Sequence, residues 1–377
     1  MQVFDIATKL IDPKTNIWVV HPGRNRRFYS RFLQSNTVFL ELPALNAGRK
    51  TFDEIGRSRQ HVRMSLEHIR RYSSSDVSSR PSKNPANYSD QAGDGQFNTW
   101  VGNARKLYGT AKVGDLVVVP GKGAYAPVLF GEIATPFNPS DTIRVEQFNF
   151  ADIQTRQVKW ISTNHYRRDL PPHLDIHLSK PPAIRSVSRG KGNGDGFFEY
   201  AYPSYILGDV SVAQIYGPRY SGKNPLDTYP ATRLIAYLVS AYAALEKGKD
   251  GELSRLGIDQ VIEQYYDPTL IESFTQNFNS PGGFGVRAKT PLLAMIVTLG
   301  VTIAVGGFDP MSLISGIVVE NSAAGGTDQV ADQAGEKVKY LMNALAADRV
   351  REMQEIGDEA KKDNRFKDPR PSKINYG

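Results

Sequence analysis

Short apolar runs separated by turn residues dominate the first half of the chain. β-Branched and aromatic residues predict strands at residues 16–22, 37–42, 113–120, 127–133 and 156–161. Apolar positions at a helical period predict a helix over residues 53–71 and a shorter one over 102–109. Because the strands are short and turns separate them, the pattern favours a small β-barrel with flanking helices over a doubly wound sheet.

The second half has longer apolar segments, most of them at a helical period. The pattern predicts a strand at residues 210–216 and helices at 230–245, 258–266 and 268–278. Residues 290–308 carry no charge, which suits either a buried core helix or a short membrane-spanning segment. Residues 328–364 have an apolar stripe, which predicts a helix that docks on its own domain or associates with a second copy.

A glycine-rich stretch at residues 190–196 has the composition of a linker. A boundary there gives a first domain at 1–190, an α/β or helical domain at 191–286, the apolar segment at 287–320, and an amphipathic helix with a polar tail at 321–377. The expected fold class is α+β: an N-terminal small β-barrel with flanking helices, linked to a mainly helical α/β C-terminal region.

Charge is distributed unevenly between the two halves. Residues 1–190 hold 27 Lys and Arg against 16 Asp and Glu, a net charge of +11, whereas residues 191–377 hold 19 against 23, a net charge of −4. A polyanionic partner would explain a basic excess confined to one half, and a merely solubilising surface is the alternative. The chain has no cysteine, which excludes disulfides and thiolate metal sites. Its first residues lack the pattern of a secretory signal, so we expect a cytoplasmic protein, with membrane association through residues 290–308 as the alternative.

Four short motifs follow one another between residues 114 and 171. They are Gly114-Asp115-Leu-Val-Val-Val-Pro120, Gly131-Glu132-Ile133, Arg156-Gln-Val-Lys-Trp160 and Arg168-Asp-Leu-Pro171. Together with the strand at Trp18 and the run from Phe32 to Leu42, these motifs resemble the PUA/EVE-like barrels of Mrr-type restriction enzymes and other prokaryotic defence proteins. The resemblance covers about residues 15–190, roughly half of the chain.

The resemblance implies recognition of DNA or RNA, often through a modified or flipped base held in an aromatic-lined pocket. Trp100 and Tyr125, at turn or loop positions, are predicted to line such a pocket. Phe130 and Trp160 lie within predicted strands and are expected to belong to the core. Four arginines are expected to contact phosphates, with a solvated charged face as the alternative: Arg24, Arg26, Arg27 and Arg31.

Signals for catalysis are weak. In restriction enzymes of this kind the barrel is joined to a nuclease, but the second half shows no pair of acids with a spaced lysine that could share a metal. We therefore expect no catalytic residue, no metal and no cofactor. The expected function is a non-catalytic nucleic-acid-binding component of a prokaryotic anti-phage defence system, with DNA favoured over RNA and a C-terminal region that oligomerises, docks a partner or acts at the membrane. A divergent nuclease or nucleotide hydrolase is the first alternative, and a purely structural interaction protein is the second.

Overall fold

The chain divides into two compact units. A computed structural model describes residues 2–72, 81–179, 182–190, 193–217, 228–277, 282–323 and 329–364. The basic unit is Lys14–Ala201, and the acidic unit combines Met1–Pro13 with Tyr202–Gly377. The basic unit holds 27 Lys and Arg against 16 Asp and Glu, and the acidic unit holds 19 against 23. The net charges of +11 and −4 found for the two halves therefore also belong to the two units.

The secondary structure mixes helices and strands along the chain. The strands are β1 (Gln2–Asp5), β2 (Lys9–Ile11), β3 (Ile17–Val20), β4 (Thr37–Val38), β5 (Leu116–Pro120), β6 (Pro127–Ile133), β7 (Thr142–Arg144), β8 (Asp152–Gln154), β9 (Arg156–Tyr166), β10 (Ile184–Val187), β11 (Ser204–Leu207), β12 (Val210–Gly217), β13 (Ile271–Asn277), β14 (Gly282–Ala288) and β15 (Ile317–Glu320). The helices are α1 (Tyr29–Ser35), α2 (Ile55–Tyr72), α3 (Gly95–Ala104), α4 (Pro172–Ser179), α5 (Phe197–Ala201), α6 (Tyr229–Glu246), α7 (Asp250–Leu253), α8 (Ile258–Tyr265), α9 (Leu293–Gly306), α10 (Pro310–Ser315) and α11 (Gln329–Asn364). With 48% helix, 22% strand and a curled half-barrel sheet, the fold is α+β, as the sequence predicts.

A six-stranded sheet organises the basic unit. Its order is β10-β3-β5-β6-β9-β4, with β3 and β5 parallel and the other neighbours antiparallel. Every residue of β5 is buried, which explains why this strand is a continuous apolar run rather than an alternating one. Val117 and Val119 of this strand belong to the same core as Phe32 and Phe39.

The Gly-Asp motif before β5 has a structural role. Gly114 has a φ of +85°, which glycine adopts without strain. The buried carboxylate of Asp115 accepts hydrogen bonds from the backbone N–H of Asn16 at 2.9 Å, the indole N–H of Trp18 at 2.8 Å and the backbone N–H of Lys112 at 2.9 Å. The motif therefore ties the turn before β5 to the neighbouring strand β3.

Two parallel pairings and a helical layer organise the acidic unit. The five-stranded sheet has the order β13-β14-β12-β11-β2, in which β11 and β2 run parallel, and β1 pairs in parallel with β15. The N-terminal strands β1 and β2 thus pair with strands that follow the basic unit in the sequence. Helices α6, α9 and α11 pack against one another over a shared apolar core.

The uncharged segment at residues 290–308 forms α9. All of its residues except Thr302 and Gly306 are buried, and the helix packs against α6, α11 and β12. Of the two alternatives, the structure therefore shows a core helix. None of the helices in the described residues is both long enough and apolar enough to cross a membrane.

The long amphipathic helix predicted at residues 328–364 is α11. Its apolar stripe, which includes Val338, Leu341, Leu345 and Met353, is buried in the core of the acidic unit. The helix therefore docks on its own unit, as the first of the two interpretations of residues 328–364 has it. Residue 328, the side chain of Val330 and the tail beyond residue 364 lie outside the described residues.

In the second half of the chain and at the domain boundary, the structure differs from the sequence-based expectations. The sequence predicts a helix over residues 268–278, but Ile271–Asn277 is strand β13, because antiparallel pairing with β14 overrides the weak local helical pattern, and residue 278 lies outside the described residues. The compact units divide after Pro13 and after Ala201, whereas the composition of the chain places a boundary at residue 190. The described part of the glycine-rich stretch, Gly190 and residues 193–196, belongs to the basic unit, where the carboxylate of Asp195 accepts hydrogen bonds from the side chain of Arg189 and from the backbone N–H of Gly190.

Candidate nucleic-acid interface

A tight loop after β3 carries three of the four predicted phosphate-contacting arginines. Gly23 has a φ of +73°, and a Cβ at this position would lie 2.3 Å from Oε1 of Glu41, so only glycine fits. The same Oε1 accepts hydrogen bonds from the backbone N–H of Arg24 at 2.9 Å and from Nε of Arg27 at 3.0 Å. Glu41 therefore fixes the path of the loop.

Arg26 holds this loop from the other side. Its guanidinium donates hydrogen bonds to the backbone carbonyls of Pro120 at 2.6 Å and Leu178 at 3.1 Å. Burial lowers the pKa of Arg26, and the neighbouring positive charge of Arg167 lowers it further. The residue has a φ of +59°, a left-handed conformation that costs a side-chain-bearing residue about 1–3 kcal/mol. Its donors are directed at protein carbonyls, so we assign Arg26 to holding the loop.

The other three arginines differ in how free they are. Arg27 is paired with Glu41, and its guanidinium lies over the rings of Phe28 and Phe148 at 4.9 and 5.4 Å. Arg31 is exposed and donates a long hydrogen bond of 3.4 Å to the carbonyl of Arg144. The exposed guanidinium of Arg24 makes no hydrogen bond or ion pair with any described residue. Arg24 is thus the member of the cluster best able to bind a phosphate.

Trp100 lies on helix α3 and not in the turn or loop that the sequence suggested. Asp94 caps this helix, since its Oδ1 accepts a hydrogen bond from the backbone N–H of Phe97 at 2.7 Å. The cap places the start of the helix at Gly95, seven residues before the predicted start at 102. Trp100 is partly buried, packs on the core of the basic unit, and leaves part of its indole facing a cleft.

This cleft, the Arg24 cleft, has a volume of about 550 Å³. Its lining comes from the loop after β3, the segment after β4, helix α3, the end of α4 and the segment before β10: His21, Gly23, Arg24, Asn25, Arg26, Phe39, Leu40, Glu41, Gln96, Trp100, Ser179, Pro182 and Ala183. The cleft thus combines apolar and aromatic surface with two arginines and with the carboxylate of Glu41, which is paired with Arg27. Such a lining can accept a planar ring with an attached anion.

Three polar side chains at the Arg24 cleft have unused hydrogen-bonding capacity. Arg24, Asn25 and Gln96 are exposed, and their side chains make no hydrogen bond with any described residue. An arginine donates to phosphate oxygens, and asparagine and glutamine amides can donate to and accept from base edges. The cleft therefore combines a stacking surface, a free cation and two free amides.

Tyr125, the second predicted pocket aromatic, lies outside the Arg24 cleft. It is 74% exposed in the loop between β5 and β6, and it is not among the residues that line the Arg24 cleft. The guanidinium of Arg168 lies 4.8 Å from the centroid of the Tyr125 ring and 5.6 Å from that of Tyr166. The structure thus brings Trp100 together with Arg24 and Arg26, and places Tyr125 beside Arg168, which the sequence motifs include but which was not among the predicted phosphate-contacting arginines.

The two aromatic residues assigned to the core differ in burial. Phe130 is fully buried, and its ring stacks with that of Tyr200 at 6.2 Å. Trp160 is partly buried and lies across Gly131, where a Cβ would come within 2.7 Å of the indole. Both side chains therefore contribute to packing of the sheet.

Sequence reasoning missed Asn25 and Gln96. Asn25 stands between two arginines directly after Pro22-Gly23, where a turn leaves short polar side chains exposed. Gln96 is four residues before Trp100, a spacing that puts both on one face once the Asp94 cap is recognised. The Asp94 cap was therefore the signal that could have located Gln96 beside Trp100, and the Pro22-Gly23 turn was the signal for Asn25.

No metal-binding cluster is found among the described residues, since no group of three or more His, Asp or Glu side chains comes close enough together to hold an ion. Comparison with known protein families, with curated proteins and with solved structures finds no match to the chain. The functional argument therefore rests on the residues and geometry of the basic unit.

Proposed function

We propose that the basic unit binds nucleic acid, with a base in the Arg24 cleft against Trp100 and a backbone phosphate on Arg24. The observation that carries the proposal is the cleft itself, in which a partly exposed indole lies beside a free guanidinium and two free amides. Stacking on an aromatic ring contributes about 1–3 kcal/mol per base, and a basic surface supplies the affinity for phosphates.

The net charge of the basic unit supports this assignment over binding of a neutral small molecule. At +11 the unit attracts a polyanion over a distance of roughly 8–10 Å at physiological ionic strength. The exposed pair of Tyr125 and Arg168 offers a second contact, since an aromatic ring and a guanidinium can both stack on bases.

The fold suggests a finer assignment. Two features support a PUA/EVE-like barrel, the class that the sequence motifs resemble. They are the curled sheet of short strands and the hydrogen bonds by which Asp115 joins the turn before β5 to β3. By that resemblance the protein would be a non-catalytic, nucleic-acid-sensing component of a prokaryotic defence system, with a modified or flipped DNA base as the ligand of the cleft.

The proposal is tested by binding of the full chain to a fluorescein-labelled 15-nucleotide single-stranded DNA, to the same sequence as RNA, and to its DNA duplex. We expect micromolar or tighter binding. The logarithm of the binding constant should fall linearly with the logarithm of the salt concentration, because each phosphate contact releases counterions. Arg24→Ala should reduce the salt slope by about 1. Lys339→Ala, which removes an exposed charge from the acidic unit, is the matched control and should leave binding unchanged.

Salt-independent binding, or no binding at micromolar protein, would remove the electrostatic argument. The nuclease alternative is tested in the same reactions with magnesium or manganese added. Cleavage that a single acid-to-amide substitution abolishes would replace the binding proposal with an enzymatic one.

A further inference from the structure

A second cavity adjoins the Arg24 cleft. This cavity, the Arg70 cavity, has a volume of about 370 Å³ and is lined by residues of α2, α3 and the segment before α3. Gln96 and Trp100 line both cavities. Because residues four apart lie on the same face of a helix, these two side chains form a ridge, the Gln96–Trp100 ridge, shared by the two cavities.

The walls of the Arg70 cavity suit a second planar ring. Leu66, Ile69 and Trp100 present apolar surface that packs on the core of the basic unit. Tyr88 adds a partly buried aromatic ring, and the exposed Arg70 lies at the cavity beside Glu67. Both volumes fall in the range of pockets that enclose small organic groups.

We infer that the two cavities hold two consecutive nucleotides of a single strand, one base on each side of the Gln96–Trp100 ridge. The inference rests on the proposed function and names its substrate class. The indole borders both cavities and can therefore contact both bases, and the free amide of Gln96 lies where it can bond to a base edge on either side. A closed duplex keeps successive bases stacked on each other, so the ligand is single-stranded or locally opened.

The test compares 5′-phosphorylated thymidine mono-, di- and trinucleotides as competitors of a labelled 12-nucleotide single-stranded DNA on the full chain. We expect about a tenfold or greater gain from mono- to dinucleotide, as one further stacked base provides, and a much smaller gain from di- to trinucleotide. A dinucleotide that lacks one of its two bases should bind like the mononucleotide.

Filling one cavity at a time gives matched variants. Ile69→Phe, which fills the Arg70 cavity, should remove most of the dinucleotide gain and leave mononucleotide affinity within about twofold. Ala183→Leu, which fills the Arg24 cleft, should weaken both ligands. Leu66→Phe serves in place of Ile69→Phe if that variant melts early, and the base-lacking dinucleotide needs no variant at all.

The outcomes separate the two proposals. If no oligonucleotide of any length binds, the proposed function fails and this inference with it. If oligonucleotides bind in a salt-dependent way, but the second base adds less than about twofold and filling the Arg70 cavity changes nothing, the two-nucleotide inference alone is overturned.

Discussion

Arg24 and Arg26 are two residues apart in one loop, yet the structure gives them opposite roles. Replacing Arg26 by alanine removes the two hydrogen bonds that the guanidinium donates to the carbonyls of Pro120 and Leu178, and a longer contact of 3.4 Å with Nδ1 of His21. Such bonds contribute about 1.5–3 kcal/mol each to stability. Part of this loss is offset, because the variant no longer carries the free-energy cost of burying a cation. We therefore expect Arg26→Ala to lower the free energy of unfolding by about 2–4 kcal/mol.

Arg24→Ala should do the reverse. The exposed side chain has no partner in the described residues, so its loss should change the free energy of unfolding by less than about 0.5 kcal/mol. Binding to single-stranded DNA should weaken by about 1–2 kcal/mol, or about 5- to 30-fold, because a charged hydrogen bond to phosphate is lost.

A third variant separates hydrogen bonding from backbone strain. Glycine adopts the left-handed conformation of residue 26 without the penalty that alanine incurs, so Arg26→Gly should be about 1 kcal/mol more stable than Arg26→Ala. The assay is urea unfolding followed by circular dichroism, with binding measured by fluorescence anisotropy well below the unfolding transition. If Arg26→Ala keeps wild-type stability while Arg24→Ala unfolds, the roles assigned to the two guanidinium groups are reversed and the reasoning fails.

Three other predictions concern aromatic residues, pH and helix packing. Tyr125→Ala should weaken binding to single-stranded DNA by about 1–3 kcal/mol with little effect on urea unfolding. Trp160→Ala should destabilise the protein by roughly 3–5 kcal/mol. The opposite pattern would place the binding surface elsewhere. Burial lowers the pKa of His61 and of His165, so below about pH 6.5 the unfolded chain binds more protons than the folded chain does. The urea concentration at the midpoint of unfolding should therefore fall between pH 7.5 and 5.5. The double variant His61→Gln with His165→Gln should show a weaker dependence on pH. Gly357→Ala should destabilise the protein by about 1–3 kcal/mol, because the new Cβ would lie 2.5 Å from the carbonyl oxygen of Ala304. Gly102→Ala is the control and should stabilise the protein by up to about 1 kcal/mol, because its Cβ meets nothing within 4 Å. Equal shifts of the melting temperature in the two variants would contradict the close packing of α9 on α11.

Much of the fold follows from local patterns. The strands β3, β5, β6 and β12 and the helices α2, α6, α8 and α11 lie where apolar periodicity predicts them, because each has an apolar face or run that the core buries. The helix expected at residues 268–278 is a strand because its partner β14 lies across a hairpin, and such pairing leaves only a weak mark on the local sequence. The pairing of β1 with β15 joins residues more than 300 positions apart, which no local pattern reveals.

The candidate site was only partly visible in the sequence. Charge asymmetry pointed to the basic unit, and the arginine cluster and Trp100 were both identified from residue type. The sequence does not show that Arg24 is the free arginine. Arg26 is bound to backbone carbonyls and Arg27 to Glu41, and these contacts join residues that lie apart in the chain. Gln96 became a candidate only when α3 placed it beside Trp100 at a cleft.

The most direct test of the account is the intrinsic fluorescence of Trp100 during titration with a 15-nucleotide single-stranded DNA. The chain has three tryptophans, and Trp18 is buried, so subtraction of a Trp100→Phe titration isolates the signal of Trp100. We predict saturable quenching in the wild type, with the same Kd as anisotropy gives and a midpoint that shifts to higher DNA concentration as salt rises. Trp100→Phe should bind more weakly and show little quenching. Binding without any difference in quenching between the two proteins would contradict the placement of a base at Trp100.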